Sequence, residues 1–176
     1  DMAILFRALT SVHLYEQALR DAGIPYALVA GKGFYAQQEV ADVLNLLELL
    51  TDPRNDVAAL AFLRSPLCAV SDATVYRLGR DRSLSAAFWG DALPENEEDA
   101  AVLRTARAMM RDLRDRMETP LPDFLRVVLD KTGYEAVLLG GYLGLQKASN
   151  VRKLIDLAED FARRRPLGLR AFVRYL

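Results

Sequence analysis

The run QQEVADVLNLLELL, residues 37–50, limits the fold more than any other stretch of the chain. Its apolar residues at 40, 43, 44, 46, 47, 49 and 50 fit a helix, but they cover too much of the circumference for a helix lying on a surface. Other elements must therefore surround it. Pro53 in TDPRND stops the helix, and DVAALAFL then makes a short helix that leads into RSP at 64–66. Further helices are expected in VSDATVYRLGR, capped by Ser71 or Asp72, and in SLSAAFW at 83–89. Three longer ones follow: roughly Glu98 to Glu118, LPDFLRVVLDKTG from 121, and about Leu145 to Arg164, with RAFVRYL closing the chain. No strand pattern and no internal repeat occurs after residue 30, so residues 67–176 read as an all-helical module with Pro66 as its boundary.

Residues 1–66 begin differently. AILF at 3–6 is a short apolar run of the kind that forms a strand covered on both faces. A helix follows, with Leu14, Ala18, Leu19 and Ala22 at helical spacing, and Gly23 ends it before GIPY leads into a second apolar run, YALVA, at 26–30. Strand, helix and strand make a parallel βαβ unit, whose remaining sheet has to come from outside these residues. The expected fold is mainly α: a short parallel βαβ piece of an α/β domain, then an all-helical domain. The opening DMAILFRALTS has neither an initiator methionine nor a leader, and is expected to be an internal stretch of a longer protein.

Composition removes several classes of function. Cys68 is the single cysteine and His13 the single histidine, so there is no internal disulfide and no Cys/His cluster with zinc spacing. A histidine-dependent nucleophile would rest on His13 alone, which sits in the helical pattern SVHLYEQAL, so no metal site is expected. No apolar run approaches the roughly 20 residues of a membrane helix, and the cytoplasm is the expected compartment. The net charge of −1 divides into 5 Lys+Arg against 8 Asp+Glu in residues 1–66 and 18 against 16 in the remainder, an asymmetry too mild to argue for nucleic acid.

Arg7, at the end of the first apolar run, is the main candidate for chemistry. Open parallel sheets bind ligands beyond the carboxyl ends of their strands, and a guanidinium there suits a phosphate. A local ion pair with Asp1 or Glu16 is the alternative. GKGF is not a P-loop, because the spacing is wrong and no hydroxyl residue follows Lys32; this lysine could touch a phosphate or simply face solvent. Arg104, Arg107, Arg111 and Arg114 line one side of a helix, where they could follow a duplex backbone or form a solvated, ion-paired face. The RRR at 163–165 ends a helix, where cations offset the dipole.

In order, AILFR, AGIPY, GKGFY and QEVADVL resemble the region of superfamily 1 DNA helicases of the UvrD/PcrA/Rep and RecB/AddA group that starts at helicase motif IV. FLRVVLDKTGYEAVL and NVRKLIDLAEDF are similar to the helical insertion of the same enzymes. The resemblance implies that residues 1–66 open the second RecA-like motor domain and that 67–176 are its helical insertion. It implies an ATP-dependent DNA helicase or helicase-nuclease acting in repair or recombination, with Arg7 contacting the γ-phosphate of ATP. ATP with Mg, DNA, the remaining motor domains and, for the nuclease-helicases, a second subunit would be its ligands and partners. Lys32, Phe34, Tyr35 and Arg64 are candidate DNA contacts on the same ground. The nucleotide-binding motifs of the first motor domain are absent from these residues, so the segment alone is expected to be inactive.

Two departures from the family pattern bear on this. Ala69, Val70 and Ser71 stand where UvrD-type enzymes have a Gly-Ile-Gly turn that grips duplex DNA, and Phe34 to Glu39 lack an acid and a base of the usual motif. The arrangement around Ser65, Pro66, Val70 and Asp72 is closer to the AddA and RecB type. The competing expectation is a helical interaction module that gates a motor without touching DNA.

Overall fold

The helix at residues 38–51 is the most enclosed element of the structure, with four other helices packed against it. The computed structural model describes residues 2–8, 11–24, 26, 34–165 and 167–176. Ten helices occur among them: α1 (Val12–Asp21), α2 (Gln38–Thr51), α3 (Asp56–Arg64), α4 (Asp72–Gly79), α5 (Leu84–Trp89), α6 (Glu97–Asp115), α7 (Leu121–Thr132), α8 (Tyr134–Leu139), α9 (Gly144–Arg164) and α10 (Leu169–Tyr175). As its composition requires, α2 is enclosed, with α3, α6, α9 and α10 against it. Val40, Val43, Leu46, Leu47, Leu49 and Leu50 are all buried. One apolar cluster runs from Phe34 to Phe172, and in it Phe62 meets Phe88 and Phe161 meets Phe172 edge to face.

Local signals place the helix ends. Asn55, Ser71, Ser83 and Asn96 each accept a backbone N–H of the helix they precede, so α3, α4, α5 and α6 all begin on a polar cap. The first turn of α6 adds Glu97, Glu98 and Asp99 at the positive end of the helix dipole. Gly133, at φ 60°, closes α7 in the left-handed region and lets α8 start at the next residue.

The βαβ piece is not seen. Residues 2–8 have no regular structure, and Met2, Ile4 and Leu5 are exposed; only Phe6 packs, edge to face on Tyr15 at 4.8 Å. The reason is physical: a parallel strand obtains its hydrogen bonds from neighbours, and a lone parallel pair without a sheet and covering helices is not stable. The intervening helix does form as α1. The second expected strand, apart from Tyr26, lies outside the described residues.

Three polar networks join helices distant in sequence. The first is buried. Glu39 and Asp42 on α2 are 4% and 2% exposed. Asn150 Nδ2 on α9 donates to Glu39 Oε1 at 2.7 Å, Tyr134 Oη on α8 donates to Asp42 Oδ2 at 2.6 Å, and Gln38 Nε2 donates to Asp42 Oδ1 at 2.7 Å. Burial, then the bond to Asp42, pushes the Tyr134 hydroxyl far up from its ordinary range. In the second network Asp99 on α6 accepts from Ser71 Oγ at 2.5 Å and Thr74 Oγ1 at 2.6 Å, tying α4 to α6; these bonds hold the Asp99 carboxyl below its usual range. In the third Asp56, which opens α3, accepts from Ser83 Oγ, Ser85 Oγ and Ser85 N–H, and its pKa falls to about 2.

The arginine row of α6 belongs to the fold as well. Arg107 is buried and donates to the carbonyls of Phe88, Ala87 and Ala92 at 2.7, 2.8 and 2.9 Å, which satisfies the open C-terminal end of α5. Arg114 lies over the Trp89 ring at 5.3 Å, Arg111 reaches Asp91 at 3.2 Å, and Arg104 approaches Glu97 at 4.0 Å. The row clamps the α5–α6 connection.

Two measurements test these networks. Tyr134→Phe leaves Asp42 one donor short and is expected to cost about 1–3 kcal/mol in urea unfolding. In a double-mutant cycle with Asp42→Asn the two losses should be non-additive; additive losses would separate the residues. Asp56 has a folded pKa below its unfolded value, so its contribution is fully present above about pH 4 and is lost as pH falls through about 2. The stability gap between the native chain and Asp56→Asn should therefore shrink steadily across that window in acid titration followed by circular dichroism.

Candidate nucleotide and DNA contacts

The predicted site residues do not converge on one pocket. Arg7 is exposed at a bend following the apolar run, and among the described residues it forms no ion pair, Glu16 included. Its guanidinium is available to an anion. Lys32 lies outside the described residues. Phe34 is 5% exposed: it is a core ring, in contact with Tyr35 edge to face at 5.1 Å and covered by Lys153 Nζ at 5.1 Å. A buried ring offers no face to a nucleic-acid base, so of this aromatic pair only Tyr35, at 40% exposure, is accessible.

Arg64 makes a two-pronged bond to Asp72, Nε to Oδ1 at 2.7 Å and Nη2 to Oδ2 at 3.3 Å. Asp72 directly follows the cap residue Ser71, so the Ser-Asp pair that resembled the AddA and RecB type has a structural use: Ser71 starts α4 and Asp72 ties it to the last residue of α3. Arg64 remains on the surface, and an exposed pair of this kind can be exchanged for another anion at little cost.

Between α3 and α4 the backbone turns sharply. Cys68 and Ala69 N–H groups donate to the Ser65 carbonyl at 3.0 and 2.7 Å, and the Val70 N–H donates to Leu63 at 2.9 Å. Ala69 has φ 56°, a left-handed conformation that favours glycine. The backbone here therefore adopts a conformation that glycine would tolerate better than the alanine it has. Cys68 is buried, and burial raises its thiol to about 12, so it is no nucleophile at neutral pH.

Beside this turn lies an open groove of about 530 Å³ between α2 and α3, lined by Gln38, Asp42, Val57, Leu60, Ala61, Arg64, Ser65 and Pro66. No group of three or more His, Cys, Asp or Glu residues that could hold a metal occurs among the described residues, and none of their helices is long and apolar enough to cross a membrane. The residues that the sequence reading missed are the partners of α2, Tyr134 and Asn150. The signal was there in TGYEAVL and NVRKL, but residues 92 and 111 positions apart cannot be paired from one sequence.

The family model described as UvrD-like helicase C-terminal domain matches residues 1–99, more than half of the chain, which belongs to that family. The chain is 27% identical over 173 residues to the ATP-dependent DNA helicase UvrD1 of Mycobacterium tuberculosis (strain ATCC 25618 / H37Rv), covering 92% of the chain and 22% of the relative. It is 29% identical over 181 residues to an ATP-dependent helicase/nuclease subunit of Desulforamulus reducens, covering 100% of the chain and 14% of the relative. The corresponding subunit of Listeria monocytogenes serotype 4b is 28% identical over 184 residues, covering 100% and 15%. The chain thus spans less than a quarter of the length of these relatives.

The turn yields a direct test. Ala69→Gly removes the left-handed penalty of about 1–2 kcal/mol while giving the unfolded chain more freedom, and is expected to stabilise by about 0.5–1 kcal/mol. Thermal unfolding should show a higher midpoint; a lower one would mean that the alanine methyl group contributes packing worth more than the strain.

Proposed function

We propose that the chain is a segment of an ATP-dependent DNA helicase, or helicase-nuclease, acting in DNA repair or recombination in the cytoplasm. Residues 1–66 belong on this reading to the second RecA-like motor domain and 67–176 to its helical insertion. The observation that carries the proposal is the family match over residues 1–99, within which AILFR, GIPY and QEVADVL occur in the family's order.

Arg7 fits a nucleotide phosphate: its charge is permanent, its donors are planar and forked, and among the described residues no carboxylate neutralises it. ATP with Mg, held between motor domains, would supply the phosphoryl group whose transfer drives movement. Arg7 would stabilise the charge that develops on that group without forming a covalent bond. The residues that bind the metal and the other phosphates belong to the rest of the longer enzyme, so the 176-residue chain alone neither hydrolyses ATP nor unwinds DNA.

The pairs Glu39–Asn150 and Asp42–Tyr134 bear on how such an enzyme would move. They join α2, in the motor part, to α8 and α9 in the insertion, so the change of role at Pro66 coincides with no break in packing.

Arg7→Ala in the longer enzyme is the test. DNA-stimulated ATPase should fall on the order of a hundredfold or more while equilibrium DNA binding persists. Unchanged turnover would remove Arg7 from the nucleotide site.

A further inference from the structure

Many arginines of this chain are neutralised where they stand. Seven of them, from Arg64 on α3 to Arg152 on α9, lie within ion-pair reach of a carboxylate. One corner breaks this pattern. Where α9 ends and α10 begins, Arg164, Arg165, Arg170 and Arg174 are all exposed and have no carboxylate partner among the described residues. Arg7, Arg20, Arg54, Arg77 and Arg82 also lack one, but no two of these share a helix, and Arg107 and Arg114 on α6 are held by carbonyls and an indole ring instead. Residues 150–176 hold seven Lys and Arg against three Asp and Glu in a chain of net charge −1, so positive charge is concentrated here. Of the three acids, Glu159 is bound to Arg126 and Asp160 to Arg163.

The helix dipole accounts for only part of this. Cations at the end of α9 are favourable, but Arg170 lies in the first turn of α10, where the dipole opposes a positive charge. Arg170 and Arg174 are four residues apart and share the face opposite Leu169 and Phe172, which are buried. Two like charges stacked this way cost stability; the end of α10 favours Arg174, but among the described residues no carboxylate offsets Arg170.

Aromatic rings stand beside these charges. Tyr175, 56% exposed, rests on buried Phe161 with ring centroids 5.1 Å apart, and Tyr35 rests edge to face on buried Phe34. Helix α10 packs on α2, which starts three residues after Tyr35, and the proximity of Tyr175 adds to burial in raising the Tyr35 hydroxyl. Both phenols are thus supported from beneath by core rings, with an outer side open to solvent.

We propose that this corner, formed by Arg164, Arg165, Arg170 and Arg174 with Tyr35 and Tyr175, binds single-stranded nucleic acid, the arginines following the phosphates and the tyrosines stacking on bases. Unpaired cations beside supported, exposed aromatic rings are the recognised chemistry of single-strand binding; a duplex keeps its bases stacked and could use only the cations. The inference deepens the proposed role in a DNA-translocating enzyme and rests on it for its biological setting. Its test uses neither ATP nor Arg7, so either reading can fail without the other.

The 176-residue chain is titrated with a fluorescein-labelled oligothymidylate and followed by anisotropy over a series of salt concentrations. Arg170→Ala/Arg174→Ala should weaken binding at least tenfold and lower the slope of log affinity against log salt by about 1.4, the value for two lost phosphate contacts on a single strand. Arg80→Ala/Arg116→Ala, the same charge change at paired sites, should alter neither. Tyr175→Leu, which keeps an apolar contact with Phe161, should weaken binding about fivefold or more, whereas Tyr175→Phe should bind as the native chain does. Circular dichroism establishes that each variant is folded. Absence of saturable binding, equal losses in the control pair, no loss in Tyr175→Leu, equal or tighter binding to a blunt duplex, or equal competition by polyglutamate would each overturn the proposal.

Discussion

Two carboxylates buried on one helix hold this chain together. Glu39 and Asp42 occupy successive turns of α2, where enclosure by other helices removes the water that would otherwise solvate them. Each must find donors inside the protein, because an unpaired buried charge costs more than most domains have in reserve. Asn150 and Tyr134 supply them from about a hundred residues further along the chain. Apolar contacts around α2 would tolerate a sliding or rotated neighbour, since methyl groups fit many partners. Hydrogen bonds of 2.6 and 2.7 Å to fixed oxygens do not. The acids thus determine which register of α8 and α9 the apolar helix accepts.

That constraint explains why the helical region was legible in the sequence and its assembly was not. Apolar spacing, polar caps and prolines act within a few residues, so α2 to α7 and α9 fell close to their expected positions, Ser71 proved to be the cap of α4, and only the short α8 was not expected. The arrangement of these helices depends on side chains that meet across the whole chain, and one sequence holds no record of which pairs meet. The strand expected at residues 3–6 failed for a related reason: its apolar residues are suited to burial, but the sheet that would bury them is not among the described residues.

Arginine was the residue type least legible of all. Arg107 and Arg114 follow the same helical spacing as Arg104 and Arg111, yet one caps the carbonyls of α5 and another covers an indole ring. Arg64, expected at a ligand, is held by Asp72, whereas Arg164 and Arg165 at the end of α9, which seemed explained by the helix dipole, belong to a larger group without carboxylate partners among the described residues. What separates structural from available guanidinium groups is the partner within reach, and that is a property of three dimensions. Arg7 was singled out by its place after an apolar run, and only the ordered series of motifs around it suggested which phosphate it would meet.

Ser71 shows how narrow the tolerance of such a fold is at a single atom. Its Oγ accepts the Thr74 N–H and at the same time donates to Asp99. A hydroxyl can do both. Aspartate, ordinarily as good a beginning for a helix, would bring a second negative charge against Asp99, and alanine would strand that carboxylate with fewer donors. Among descendants of this chain, position 71 should therefore drift only between serine and threonine for as long as residue 99 remains an acid.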